Sequence, residues 1–307
     1  MELPSDGQIR FATAGDGAVL RTAWWPATDA RGTVLLLHGR TEFIEKYAEV
    51  VGELRARGFA VWTLDWRGQG LSERLAGRPQ AGYIDDFATY LEDLETALAQ
   101  TLPAEAPEPR IVLAHSMGGH LAARALAEKR LQPAAAILSA PMLRIAHTPA
   151  KAVVVPVLAR LATLLGLGRR YAYGERDYGP HRCRFDGNPL TGHAVRFQRT
   201  VDYMGAEPAL RLGGVTWGWL DAAHRSSVAL NRSEVAAAID LPVLLLLAAD
   251  DTIVDKQAIA AFGTWLPHGR LVRLDDARHE PLIETDAVRA RRWSEVDAFL
   301  AALPGTG

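Results

Sequence analysis

The run RIVLAHSMGGHLAARALA, residues 110–127, leads three long or branched apolar residues into His115-Ser116-Met117-Gly118-Gly119 and leaves in an Ala-rich helical pattern. A strand that turns sharply into a helix with a serine at the corner presents that hydroxyl for nucleophilic attack. A serine hydroxyl is a weak nucleophile at neutral pH, so an imidazole must take its proton and a carboxylate must hold the imidazole. Pre-placed N–H donors must then meet the negative charge that develops on the substrate oxygen. Helix capping is the competing role for Ser116. Gly118 and Gly119 favour the nucleophile, because glycines destabilise a helix unless backbones approach closely there. The usual corner is G-x-S-x-G; here Ala114 holds its first position.

The partners follow along the chain. AADDTIVD offers Asp250, Asp251 and Asp255, and DDARHEPL offers His279. Asp255 stands where a following helix begins and suits the N-terminal dipole; residue type and spacing do not choose between Asp250 and Asp251. The other histidines are His38, His115, His120, His147, His181, His193, His224 and His268. His279 alone follows the final strand in a loop at the predicted active face, and His38 and His115 suit structural roles. The backbone N–H of Met117, at the helix start, and that of Arg40, after the His38-Gly39 corner, are the candidate oxyanion donors.

These residues need strands to carry them. QIRFATA and AVLRTAWWPA flank the turn triplet GDG and predict an antiparallel hairpin. TVLLLHG (33–39), FAVWTLD (59–65), RIVLA (110–114), AAAILSA (134–140) and PVLLLLAA (242–249) are short apolar runs expected of strands buried on both faces. Ile44, Tyr47, Val51 and Leu54 recur at helical spacing, as do Tyr83, Phe87, Leu91, Leu94 and Leu98. A helix around 255–265, the strand RLVRL (270–274) and a last helix over 285–302 complete the alternation, which predicts a mostly parallel sheet covered by helices. Residues from about 145 to 235 break the pattern and read as irregular, with helical pieces. Two units are therefore expected: a core of 1–144 and 236–307, and a cap inserted over the strand ends at 145–235. Ligands of such sheets bind beyond the strands' carboxyl ends, where the serine, carboxylate and histidine all emerge.

Composition removes other classes. The formal net charge of −2 over 307 residues gives no basic field for nucleic acid. The single cysteine, Cys183, forms neither an internal disulfide nor a metal cluster, so no metal or other cofactor is expected. MELPSDGQIRFATAGDG lacks a basic start followed by an apolar core, and AVVVPVLARLATLLGLG (152–168) is interrupted by Pro156 and Arg160. A cytoplasmic location is the expectation, with room for peripheral contact at the inner membrane.

HGRTEF, LDWRGQGLS, AHSMGG, AADDTIVD and RHEPL, in this order and spacing, resemble the α/β-hydrolase branch of monoacylglycerol lipases and bacterial lysophospholipases, within the serine aminopeptidase S33-type hydrolases. HGRTEFIEKYAEVV, GNPLTG and VTWGWL look like the lysophospholipase side. The resemblance implies the α/β-hydrolase fold with Ser116 as nucleophile, Asp251 as acid and His279 as base. It also implies oxyanion donors on the N–H groups of Arg40 and Met117. Gln69 stands where relatives often have histidine in R-G-H-G-x-S. The implied activity is hydrolysis of lysophospholipid or monoacylglycerol esters through an acyl-enzyme. A general carboxylesterase or small-acyl amidase or peptidase with the same triad, and a non-catalytic binding protein on this fold, are the alternatives. Trp217, Trp219 and Leu220 form an apolar face at the presumed mouth and suit either substrate contact or cap packing. Arg169 and Arg170 would attract a lipid phosphate or simply stand in solvent. A cap with exposed apolar surface would also rest on a membrane. Oligomeric state is not written in the sequence.

Overall fold

The computed structural model describes residues 3–74 and 77–303. Its frame is an eight-stranded sheet in the order β1-β2-β4-β3-β5-β6-β7-β8. The strands are β1 (Gln8–Thr13), β2 (Val19–Trp25), β3 (Thr33–Leu37), β4 (Ala60–Leu64), β5 (Arg110–His115), β6 (Ala135–Ser139), β7 (Val243–Ala248) and β8 (Gly269–Leu274). Only β2 runs against its neighbours, pairing antiparallel with β1 and β4, so the expected hairpin forms the start of the sheet. Every residue of β3, β4, β6 and β7 is buried, as continuous apolar strands between helical layers should be.

The covering helices are α1 (Ala48–Ala56), α2 (Ala88–Thr101), α3 (Ser116–Ala127), α8 (Lys256–Trp265) and α9 (Asp286–Ala301). Two expectations about them shift. Ile44–Tyr47 forms a 3-10 turn before α1. The apolar stripe beginning at Tyr83 precedes the start of α2, because the Asp86 carboxylate accepts the Ala88 N–H and ends the loop there. Phe87 is fully buried from that loop.

Between β6 and β7 the chain is more helical than its sequence suggests. It contains α4 (Pro149–Leu164), α5 (Ala194–Ala206), α6 (Trp217–Leu230) and the short α7 (Ser233–Ala237). α4 continues through Pro156 and buries only Ala159 fully; Val153, Val154, Val157, Leu161 and Leu164 are each at least half exposed. Such a helix lacks the single apolar stripe that marks one packed on a core, which is why its sequence reads as irregular. Thr216 caps α6 by accepting the Trp219 N–H, and Asp255 caps α8 through the N–H groups of Gln257 and Ala258.

Candidate active site

β5 ends at His115 and α3 begins at the next residue, leaving no room for a loop. The turn is made by Ser116 itself at φ +50°, a left-handed conformation that a non-glycine residue holds only when its surroundings impose it. What imposes it is the approach of α3 to β3: a Cβ on Gly118 would lie 2.4 Å from the Leu37 carbonyl oxygen. Ala114 is fully buried between Leu37 and Leu138 on the neighbouring strands, so its methyl is absorbed within the sheet.

The three side chains that could do nucleophilic chemistry meet. Ser116 Oγ lies 2.9 Å from His279 Nε2, and His279 Nδ1 lies 2.7 Å from Asp251 Oδ2. A carboxylate only accepts, so Nδ1 carries the proton toward Asp251 and Nε2 is left to accept from the serine. The other oxygen of Asp251 accepts the N–H groups of Ile253 (2.7 Å) and Val254 (3.1 Å). Burial works against the Asp251 charge, but the His279 hydrogen bond and these N–H groups outweigh it and hold the carboxyl below its ordinary value. Asp250 points to solvent, its own N–H spent on the Ala277 carbonyl.

The candidate oxyanion corner after β3 is pinned on both sides of Arg40. Gly39 N–H donates to Glu42 Oε2 at 2.5 Å, and Thr41 N–H donates to Gln69 Oε1 at 2.6 Å with Thr41 at φ +66°. A Cβ on Gly39 would meet Ser116 Cβ at 3.0 Å, so glycine lets this corner close over Ser116. Among the described residues the Arg40 N–H has no hydrogen-bond acceptor. The N–H of Met117 lies in the first turn of α3, where no intrahelical acceptor exists. Two unspent donors thus flank Ser116, as stabilisation of an oxyanion requires.

Sequence reasoning missed the charges behind this machinery. Lys46 Nζ bridges Glu42 Oε1 (2.8 Å) and Glu280 Oε1 (2.6 Å), with all three side chains buried. Tyr47 OH donates to Glu42 at 2.7 Å. Burial favours a neutral Glu42, yet Lys46, His115 and His38 hold its carboxyl well below the usual range, while burial leaves Glu280 raised. One ammonium therefore joins the oxyanion corner to the residue after His279. His115 packs on His279 with ring centroids 4.9 Å apart. Burial pushes its pKa down to about 4, and its Nδ1 faces the Ser139 carbonyl at 3.1 Å, so it is a neutral structural residue at pH 7. His38 is likewise buried, its Nδ1 2.8 Å from the Gly39 carbonyl oxygen.

A strap from the segment between β6 and β7 holds the histidine loop. In GNPLTG (187–192), the carbonyl of Pro189 accepts the His279 N–H at 3.3 Å and that of Leu190 accepts the Glu280 N–H at 2.8 Å. Asn188 Oδ1 shapes the strap by accepting the N–H groups of Leu190 and Thr191.

Ser116 and His279 open onto a cavity of about 880 Å³, at the upper end of the range for small-molecule sites. Val155, Leu158, Phe197 and Met204 give it an apolar side, and Trp217, Trp219 and Leu220 all line it. Trp219 is buried against Phe87 and therefore packs as well as faces the cavity. Arg169 lies 5.4 Å from the Tyr83 ring, and neither it nor Arg170 reaches the cavity wall; Arg40 and Arg182 do. Among the described residues no group of side chains is arranged to hold a metal ion, and no helix is long and apolar enough to cross a membrane.

The sequence profile of the serine aminopeptidase S33 family matches residues 28–286. The chain is similar to the probable lysophospholipase L2 of Haemophilus influenzae, at 29% identity over 90% of this chain and 85% of that protein. It is 31% identical to lysophospholipase L2 of Escherichia coli K12, over 84% of this chain and 76% of the relative. Among solved structures, a soluble variant of Saccharomyces cerevisiae monoglyceride lipase bound to a substrate analogue superposes with a TM-score of 0.74 at 21% identity, covering 96% of both chains.

Proposed function

The chain belongs to the serine aminopeptidase S33 family of α/β-hydrolases, and on that premise we propose that it cleaves carboxylic esters of single-chain lipids through an acyl-enzyme on Ser116. The observation that carries the reading is the continuous relay Asp251–His279–Ser116 at the floor of a largely apolar cavity. His279 takes the Ser116 proton as Oγ attacks the ester carbonyl, and Asp251 compensates the imidazolium. The N–H groups of Arg40 and Met117 receive the oxyanion. Collapse expels the alcohol, protonated by His279, and water repeats the sequence to release the fatty acid. A lysophospholipid or monoacylglycerol supplies one acyl chain for the apolar side of the cavity, as the names of the curated relatives suggest.

In this reading residues 145–235 act as a cap whose helices cover the acyl chain. Val155 and Leu158 of α4 line the cavity while Val153, Val154, Val157, Leu161 and Leu164 are at least half exposed, which would let the helix rest on a lipid surface. Co-sedimentation with liposomes tests that contact, and a protein left wholly in the supernatant removes it. The activity is tested by product analysis on lysophosphatidylcholine, monoacylglycerol and p-nitrophenyl esters of rising chain length. Free fatty acid from the single-chain lipids is expected, with no release by His279→Ala. A sharp preference for acetyl esters would sink the lipid reading.

A further inference from the structure

Resting on the lipid-ester reading, we propose that the guanidinium of Arg40, with Arg182 beside it, forms an anion subsite for the phosphate diester of a lysophospholipid head group. The enzyme would then prefer phosphate-bearing single-chain lipids to uncharged monoacylglycerols.

Arg40 is a part-buried cation on the cavity wall with no ion pair among the described residues. The buried cations Arg21, Arg67 and Lys46 are paired, Arg21 with Glu45 and Asp65, Arg67 with Asp16 and Asp93, Lys46 with Glu42 and Glu280. Arg74, part-buried like Arg40, donates only to backbone carbonyls away from the cavity wall. Among the described residues no carboxylate forms an ion pair with Arg40. Its guanidinium donates instead to Thr41 Oγ1 (3.0 Å) and to the carbonyls of Gly213 (3.3 Å) and Gly214 (2.7 Å), and lies 5.0 Å from the Trp219 ring centre. Three of the five guanidinium N–H groups are thereby occupied, leaving two for a ligand. Burial and the nearby Arg182 push its pKa down to about 10, against the opposing pull of Tyr90, Glu175 and Tyr171.

The surroundings extend the same charge. Arg182 lines the cavity and holds only a partly exposed partner, Glu175, at 3.3 Å. Arg184, Lys151 and Lys46 also line it, against Glu42, Glu175, Asp186 and Glu280, which leaves one more cation than carboxylate. The chain as a whole is slightly negative, so this excess of positive charge is local to the cavity. Placement matches the substrate as well. The Arg40 N–H is the donor proposed for the scissile carbonyl, and the same residue, with Arg182, lines the cavity. In a lysophospholipid the phosphate follows the scissile ester by one short glycerol unit. A planar guanidinium binds phosphate oxygens in pairs, with the strength of charge-assisted hydrogen bonds.

The test is direct binding, which needs no turnover. Titration calorimetry compares an alkyl ether analogue of lysophosphatidylcholine with the alkylglycerol ether of the same chain length, on wild type, Arg182→Gln and Arg40→Gln. Arg182 sits in a partly exposed turn, so its variant keeps the test independent of any folding defect in Arg40→Gln. Wild type is expected to bind the phosphate-bearing ether about tenfold or more tightly, with that ratio falling toward one in both variants. A ratio near one in wild type, or a ratio unchanged in both variants, overturns the subsite. Displacement of the ether lipid by inorganic phosphate alone marks a site for free phosphate and overturns the head-group assignment. Fatty acid release from monoacylglycerol, measured in parallel, separates the two proposals. Release with a ratio near one removes the subsite and leaves the lipid-ester reading standing. A large ratio that the variants abolish, without release from any ester, keeps the subsite and removes the hydrolytic reading.

Discussion

Replacing Lys46 by methionine isolates the buried charge cluster. In the native protein one ammonium serves two buried carboxylates, Glu42 at 2.8 Å and Glu280 at 2.6 Å. Methionine fills similar space without the charge, so two carboxylates remain where both cannot ionise. Removing one partner of a buried ion pair costs about 3–5 kcal/mol. For a chain of this size that is a fall in Tm of about 5–8 °C. The loss must also depend on pH. A carboxyl whose folded pKa rises above its unfolded value contributes stability at low pH and loses it as pH rises through the folded value. The gap between Lys46→Met and wild type should therefore be narrow at about pH 5, near the ordinary carboxylate range, and wide at about pH 8. Glu280→Gln added to Lys46→Met removes one of the opposed charges and should recover part of the loss. Thermal and denaturant unfolding at both pH values reads all of this, and p-nitrophenyl ester hydrolysis reports the accompanying shift of the oxyanion corner and histidine loop. A loss under about 1 kcal/mol, or an equal loss at both pH values, would refute the argument that the cluster is jointly ionised and buried.

Gln69→Leu, which removes the acceptor holding the Thr41 N–H, should lower kcat roughly tenfold with little change in KM, because the Arg40 donor is met chiefly in the transition state. Gln69→Glu retains that acceptor and should recover much of the rate; equal losses in both would show that Gln69 only fills space. Asp251→Asn should reduce kcat by on the order of 10⁴, whereas Asp250→Asn, at an exposed position, should leave esterase kinetics near wild type. The reverse pattern assigns the acid to Asp250. His115 and His120 are both buried with pKa values pushed down to about 4, so the unfolded chain takes up protons there first as pH falls below the usual histidine value. Each should withdraw up to about 3 kcal/mol of stability between neutrality and pH 4. His120→Gln should flatten that acid limb in unfolding titrations, and an unchanged limb counts against a buried neutral His120.

The strands are legible because each of β3 to β7 is a short local apolar run bounded by turn residues, whereas their order across the sheet is written in no single run. The corner at Ser116 is equally local: two glycines, an abrupt change of pattern and a left-handed serine within one turn. What escapes the sequence is set by distance along the chain. Lys46 and Glu280 lie 234 residues apart, and their pairing leaves no mark at either site. Gln69 reads as a departure from R-G-H-G-x-S, yet its side chain reaches 28 residues back to Thr41 at the oxyanion corner. The segment from 145 to 235 misleads in another way. Helix assignment from periodicity assumes that one face packs on a core, and α4 keeps most of its apolar residues outside. The same geometry explains why Arg169 and Arg170, beside the apolar run, draw attention as phosphate ligands while Arg40 does not. A residue read first for its backbone N–H has its side-chain role hidden.

The central claim is that Ser116, activated through His279, carries the acyl group. Fluorophosphonate labelling followed by peptide mass spectrometry tests it most directly. One adduct is expected on Ser116, absent from Ser116→Ala and much slowed in His279→Ala. No adduct in wild type, or the same labelling in Ser116→Ala, contradicts it.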